Sequence, residues 1–194
     1  TALSDRLFAM KLENAWTSKL FNAISFLGFP PLLWLIVGGI CSYLFRTGRK
    51  RLALYMGATS AGVVINTVVK LAVDRPRPEF RDPAAITFQS GQSFPSGHVM
   101  STTVVYGAIL LIFLPLVARR WKKAVVALTL GLVMIIGVAR LGLGVHYLSD
   151  VIGGFILGLA WLAASTAAFS LWRVERGRPP VKPLEGVEPE AVGP

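Results

Sequence analysis

The chain has 194 residues, of which 54% are hydrophobic and 15% charged, and its mean hydropathy is +0.60. That is too apolar for an ordinary soluble domain. The formal charge of +10 is spread between apolar runs and not gathered in one patch, which argues against a nucleic-acid partner and for anchoring beside anionic headgroups or substrates. Cys41 is alone and lies inside an apolar run, so neither an intrachain disulfide nor a cysteine metal site can form. Two histidines without cysteines are too few for a structural zinc site. No metal and no cofactor are expected.

Residues 4–28 have mixed polarity. Leu7, Phe8, Leu12, Trp16, Leu20, Ile24 and Leu27 recur at helical spacing, with Arg6, Lys11, Glu13 and Lys19 between them. The pattern predicts an amphipathic helix lying in the membrane interface over residues 1–28. Residues 30–45 form the first strongly apolar run, opened by Pro30-Pro31, which suit a helix start, and ended by Arg46, Arg49, Lys50 and Arg51. With part of the preceding segment it approaches the roughly 20 residues needed to span a bilayer. Residues 52–73 form a second span. Ser60, Asn66 and Thr67 inside it are assigned to packing against neighbouring helices.

Residues 74–94 read as a polar loop rich in Pro, Gly, Arg and Asp, placed to cover a site. Residues 99–117 make the third span, closed by Arg119, Arg120, Lys122 and Lys123. Residues 124–138 make the fourth and 147–172 the fifth. In the fifth, Gly154 and Gly158 stand four apart, a spacing that allows close helix approach. After Arg173 the composition turns to Pro, Gly and Glu, and residues 173–194 are expected to be a disordered tail. No internal repeat is visible. The expected fold is all-α: a polytopic transmembrane helix bundle of about five spans, with residues 29–172 as one membrane domain.

Lys and Arg set the orientation. One side receives Arg46, Arg49, Lys50, Arg51, Arg119, Arg120, Lys122, Lys123, Arg173, Arg176, Arg178 and Lys182, twelve of the twenty. The positive-inside rule puts that side in the cytoplasm. Loops carrying residues 70–98 and 140–146 then face the extracytoplasmic side, and so does the N-terminus. The sequence begins with Thr1 and shows no signal peptide, so an upstream membrane segment or domain is expected before it.

Three polar clusters fall at span ends on that outer side. Lys70 is followed after six residues by Arg77-Pro78. Pro95-Ser96-Gly97-His98 leads into the third span. Arg140, His146 and Asp150 stand before and within the start of the fifth. Both histidines of the chain lie in these clusters. Taken singly, each residue has a plainer role: Lys70, Arg77 and Arg140 as snorkelling anchors, Asp150 as a helix N-terminal charge, His146 at the interface. Ionisable groups this close to apolar spans are costly, however, and usually have a task.

Phosphoryl transfer is the chemistry that uses the whole set. A phosphate dianion needs fixed cations and backbone donors, and catalysis comes largely from holding charge in place. Lys70, Arg77 and Arg140 supply cations. Ser96 and Gly97, at the start of an apolar helix, supply N–H groups, a hydroxyl and room for close approach. His146 and Asp150 share a helical face, so the carboxylate can keep one imidazole nitrogen protonated and leave the other to attack phosphorus. His98 is then the general acid for the leaving oxygen.

As a set, these clusters resemble the signature of the type 2 phosphatidic acid phosphatase superfamily, which includes membrane lipid phosphatases, glucose-6-phosphatase and vanadium haloperoxidases. The family pattern of Lys-x6-Arg-Pro, Pro-Ser-Gly-His and Ser-Arg-x5-His-x3-Asp is met at Lys70 to Pro78, Pro95 to His98 and Ala139 to Asp150. Ala139 stands where the family usually has Ser. The resemblance implies a helical membrane fold, a phosphohistidine on His146, a proton from His98 and no metal requirement. It also implies a lipid phosphate substrate, undecaprenyl diphosphate or phosphatidylglycerol phosphate, and residence in the bacterial cytoplasmic membrane. Two other functions would use the same residues: a phosphatase or phosphotransferase for another phosphate ester, such as phosphatidic acid, a lipid A phosphate or a soluble ester, and a non-catalytic protein that binds or transports anionic lipid.

Overall fold

The computed structural model of the chain describes residues 6–9, 13–78 and 91–192. Among these, helices dominate, with one isolated bridge between Lys182 and Gly186 and no strand. The helices are α1 (Ala15–Phe26), α2 (Pro30–Arg46), α3 (Lys50–Ser60), α4 (Val63–Val73), α5 (Gly97–Phe113), α6 (Lys122–Gly142), α7 (Leu148–Glu175) and the short α8 (Pro189–Val192). Single 3₁₀ turns at Leu114–Leu116 and Arg119–Trp121 link α5 to α6. Five stretches are long and apolar enough to cross a membrane: Ala15–Arg46, Lys50–Val73, Gly97–Leu116, Arg119–Gly142 and Leu148–Glu175.

The first of these corrects the expectation of an amphipathic interfacial helix. Asn14 caps α1, its side chain accepting from the Trp16 N–H at 2.9 Å. Arg6 and Glu13, which carried much of the polar side of the pattern, lie in helical residues ahead of that cap, and Lys11 falls outside the described residues. Lys19 is the one charge left inside α1. What remains is apolar and continues through a turn at residues 27–29 into α2, so α1 is part of the first span. Its buried residue is Ser25, while Trp16 and Phe26 point outward.

The second span is broken at residues 61–62. There the Trp161 indole of α7 donates to the Thr59 carbonyl at 2.7 Å, and a Cβ on Gly62 would collide with the same indole. An inserted donor that takes a helix carbonyl is a recognised cause of a kink. Beyond the break, Asn66 of α4 lies buried against the start of α5. Helix α6 runs four residues past the expected end of the fourth span, which places Arg140 inside a helix.

The centre of the bundle is α5, which packs against α7, α6, α3, α2 and α4. His98, Met100, Val104, Ala108 and Ile112 are all buried along it. Its contact with α7 is close because Gly154 and Gly158 lack side chains. A Cβ on Gly154 would sit 2.6 Å from the Ser96 carbonyl, and one on Gly158 would sit 2.7 Å from Thr103 Cβ and 3.1 Å from the Met100 carbonyl. This is the approach that the spacing of the two glycines predicts.

The expected disordered tail is instead folded against the bundle. Val187 and Val192 join the core formed by Leu44, Leu52, Met56 and Ile112. The Val187 N–H donates to the Leu111 carbonyl at 3.0 Å, and Arg49 Nε donates to the Ala191 carbonyl at 2.7 Å. Glu188, 1% exposed, lies 2.6 Å from Arg51, 3.0 Å from Arg178 and 3.5 Å from Arg173. The tail is polar in composition, but its few apolar residues reach a core, and its carboxylates meet the arginines that end the spans.

Candidate active site

The ends of α4 and α6 and the starts of α5 and α7 converge at the end of the bundle away from the tail. The chain enters this region through Asp74, which takes a left-handed conformation (φ 45°) at the end of α4, its N–H bonded to the Lys70 carbonyl at 2.9 Å. Residues 75–78 then form no regular secondary structure, and their two X-Pro steps disfavour a continued helix. The far end of the loop returns beside them: the Ser93 N–H donates to the Arg75 carbonyl at 2.8 Å, and Ser93 Oγ donates to the Pro76 carbonyl at 2.9 Å. The middle of the expected covering loop, residues 79–90, lies outside the described residues.

Asp150 ties the parts together. It is fully buried in the first turn of α7. Its Oδ2 accepts from the Tyr147 N–H at 2.9 Å and stands 3.3 Å from His146 Nδ1. Its Oδ1 accepts from Arg75 Nη1 at 3.0 Å. Its main-chain carbonyl accepts from the Ser96 N–H at 2.9 Å, which fixes the start of α5 against the start of α7. The Ser96 N–H, expected as a free donor for an anion, is thereby used within the protein. The N–H groups of Gly97 and His98 open the helix, where no intrahelical carbonyl can reach them, and the Ser96 hydroxyl is buried with no hydrogen-bond partner.

With Nδ1 held by a carboxylate, the His146 ring presents Nε2 to the site. Arg77 Nη1 lies 3.5 Å from that nitrogen. The same guanidinium donates to the carbonyls of Val145 (3.1 Å), Gly91 (3.0 Å) and Gln92 (3.3 Å), which hold it in place. Lys70 Nζ donates to the Gln92 carbonyl at 2.6 Å, keeping further N–H groups to offer. Arg140 reaches in from α6, fully buried. Its Nη1 donates to Ser25 Oγ at 2.8 Å, and its Nε and Nη2 have no hydrogen-bond partner. Arg140, His146 and Arg77 all lie close enough to His98 to act on it electrostatically. Every residue expected in the site is thus brought into one cluster.

Burial pushes the His146 pKa down to about 4, with Arg140 and Arg77 adding to the fall and the Asp150 hydrogen bond opposing it. The imidazole is therefore neutral at neutral pH. Burial also lowers the Arg77 pKa, against the pull of Asp150, and a guanidinium stays charged through such a shift. The chemistry on offer is anion capture by cations and backbone donors around a neutral, oriented imidazole.

Two partners escape a reading of the sequence. Arg75 bonds Ser149 Oγ at 2.6 Å as well as Asp150, and lies 4.1 Å over the Tyr147 ring. The paired Arg-Pro steps at residues 75–78 were its only signal. Ser25, in a helix far from the clusters, gave no signal at all.

The sequence matches the PAP2 superfamily over residues 51–173. It is 34% identical over 158 residues to phosphatidylglycerophosphatase B of Bacillus subtilis, covering 78% of this chain and 74% of that protein. It is 32% identical over 164 residues to a lipid A 1-phosphatase of Rhizobium johnstonii, covering 72% of this chain and 63% of that one. The crystal structure of a transmembrane PAP2-type phosphatidylglycerolphosphate phosphatase from Bacillus subtilis superposes with a TM-score of 0.73 at 28% identity, covering 84% of this chain and 81% of that one. A family match over more than half of the chain, laid on a helical bundle whose three motif clusters meet at one end, makes this protein a member of the PAP2 superfamily and an integral-membrane lipid phosphatase.

Proposed function

We propose that the protein removes the terminal phosphate of phosphatidylglycerol phosphate through a phosphohistidine on His146. The observation that carries the mechanism is the Asp150–His146 pair, with Nδ1 3.3 Å from the carboxylate and Nε2 facing the Arg77 guanidinium. Nε2 attacks phosphorus, forming the N–P bond as the bond to the lipid oxygen breaks. His98 gives that oxygen its proton, so the lipid leaves as an alcohol. His98 then takes a proton from water, which attacks phosphorus, breaks the N–P bond and releases inorganic phosphate. Arg77, Arg140, Lys70, the Ser96 hydroxyl and the Gly97 N–H hold the phosphoryl oxygens through both steps. Asp150 keeps Nδ1 protonated and stabilises the charge that develops on the ring.

Similarity to phosphatidylglycerophosphatase B, in sequence and in fold, favours phosphatidylglycerol phosphate. The lipid A 1-phosphatase relatives make a lipid A phosphate the second reading. The site lies at the end of the bundle opposite the basic span ends and the tail, so the reading includes a site facing away from the cytoplasm in a bacterial cytoplasmic membrane.

The test is phosphate release from purified protein across phosphatidylglycerol phosphate, undecaprenyl diphosphate, phosphatidic acid, a lipid A phosphate and a soluble ester, with and without EDTA. Preference for phosphatidylglycerol phosphate, unchanged in EDTA, supports the proposal. Rapid quenching with labelled substrate should trap label that is stable to base and lost in acid, and absent in His146→Ala. Label on another residue overturns the mechanism.

A further inference from the structure

Helix α4 carries a second polar side chain one turn before Lys70. Asn66 is 4% exposed. Its Oδ1 stands against the start of α5, where a Cβ on Gly97 would lie 3.3 Å from it, and its Nδ2 has no hydrogen-bond partner. Residues 66 and 70 are four apart, so they share a face of α4. On that face Lys70 is within electrostatic range of Arg77 and Asp150. The neighbouring Thr67 is exposed on another face, so burial of a polar group here is particular to position 66.

Packing between helices does not account for this. A buried amide with an unmade N–H is costly, and an apolar side chain of similar volume would fill the space without that cost. Among the described residues, the other unpartnered buried groups at this end of the bundle are Arg140 Nε and Nη2 and the Ser96 hydroxyl. They come from α6 and the start of α5, Asn66 comes from α4, and all of them can donate. A water accepts about two such bonds. A phosphoryl group presents three non-bridging oxygens with several lone pairs, enough to accept from donors on several elements.

We propose that Asn66 is a substrate-contacting residue, its carboxamide donating through Nδ2 to a phosphoryl oxygen held beside Gly97. This rests on the lipid-phosphatase reading and adds to it a neutral donor. Lys70 attracts the dianion as a point charge, whereas the planar amide against the start of α5 offers its hydrogens only in its own plane. It thereby sets which oxygens face the cations and which face His98.

The experiment compares wild type with Asn66→Ala, Asn66→Leu and Asn66→Asp, purified in detergent. The readings are kcat and KM on phosphatidylglycerol phosphate, the inhibition constant of orthovanadate, and the midpoint of thermal unfolding. Asn66→Ala and Asn66→Leu should lower kcat/KM and weaken vanadate inhibition together, by roughly 10–100-fold each, the scale of one hydrogen bond to a charged group. Asn66→Asp, which keeps the shape but brings a negative charge toward the anion, should lose more. Vanadate inhibition within twofold of wild type in any of the three overturns the proposal. So does a fall in activity that only tracks the fraction of unfolded protein, and Asn66→Asp decides the matter should the other two fail to fold. Wild type that neither releases phosphate from any lipid nor binds vanadate defeats the phosphatase reading itself. Active wild type with unaffected Asn66 variants defeats only the role given to Asn66.

Discussion

His146 is neutral at neutral pH because it is buried beside two arginines, and oriented because Asp150 takes its Nδ1. The sign of the pH dependence follows. On the proposed mechanism, a His146 nucleophile with a pKa lowered to about 4 stays competent well below the ordinary histidine range and is lost only as pH falls toward that value. The acid limb of kcat/KM should therefore lie near 4, and Arg77→Gln should move it upward, since Arg77 helps depress the pKa. A limb near 6.5 in wild type contradicts this picture of the site. His146→Ala should fall to background, and His98→Ala should lose about 10²–10⁴-fold in kcat, the range of a general acid. Arg75 touches Asp150 and not the expected path of the phosphoryl group, so it acts by positioning. Arg75→Ala should lower kcat by up to roughly 100-fold with KM little changed, and Arg75→Lys should recover part of it. A change confined to KM would place Arg75 on the substrate instead.

Between elements, the controlling contact is α5 against α7. The start of α5 carries Ser96, Gly97 and His98, the start of α7 carries Asp150, and their separation is set by Gly154 and Gly158. A side chain at either glycine meets backbone carbonyls of the facing helix, which cannot rotate away. Gly158→Val should cost about 1–3 kcal/mol, the scale of overpacking, read as faster thermal inactivation in detergent. It should also lower kcat, because it pushes the two starts apart. Gly38 in α2 faces open space, and Gly38→Ala should change neither reading. The kink at residues 61–62 is the other device at this scale. There the Thr59 carbonyl accepts both from the Gly62 N–H at 3.2 Å and from the Trp161 indole at 2.7 Å, and beyond the break Asn66 lies buried against the start of α5.

Across the whole molecule, chemistry and anchorage occupy opposite ends. The tail closes the anchored end through Glu188, which three arginines from separate elements surround. Removing a buried carboxylate leaves its partners uncompensated, at 3–5 kcal/mol for fully buried pairs. Arg51 and Arg178 are about one-third exposed, so Glu188→Ala should cost less, about 2–3 kcal/mol. Activity at low temperature should be retained, since the tail is remote from His146. Loss of activity without loss of stability would reveal coupling between the ends. Orientation is testable at the same scale. Leu184 is exposed in the tail, and Leu184→Cys in a Cys41→Ser background should react with a membrane-impermeant thiol reagent only after the cytoplasmic face is opened.

The spans, their polarity and the motif clusters are legible in one dimension because apolar run length and the Lys and Arg flanks are local properties, as is the four-residue spacing of His146 and Asp150. That spacing alone was enough to foresee a held imidazole. The amphipathic reading of the N-terminal segment failed because helical periodicity does not show where one helix ends and the next begins, and the Asn14 cap separates Arg6 and Glu13 from the apolar α1. Disorder in the tail was inferred from composition, which cannot register that Val187 and Glu188 find partners on helices more than a hundred residues away. The partners of Arg140 and Asp150, the pivot at Trp161 and the place of Asn66 are all decided by contacts between distant segments. Such contacts leave no local trace, because what selects them is the fit of one helix against another.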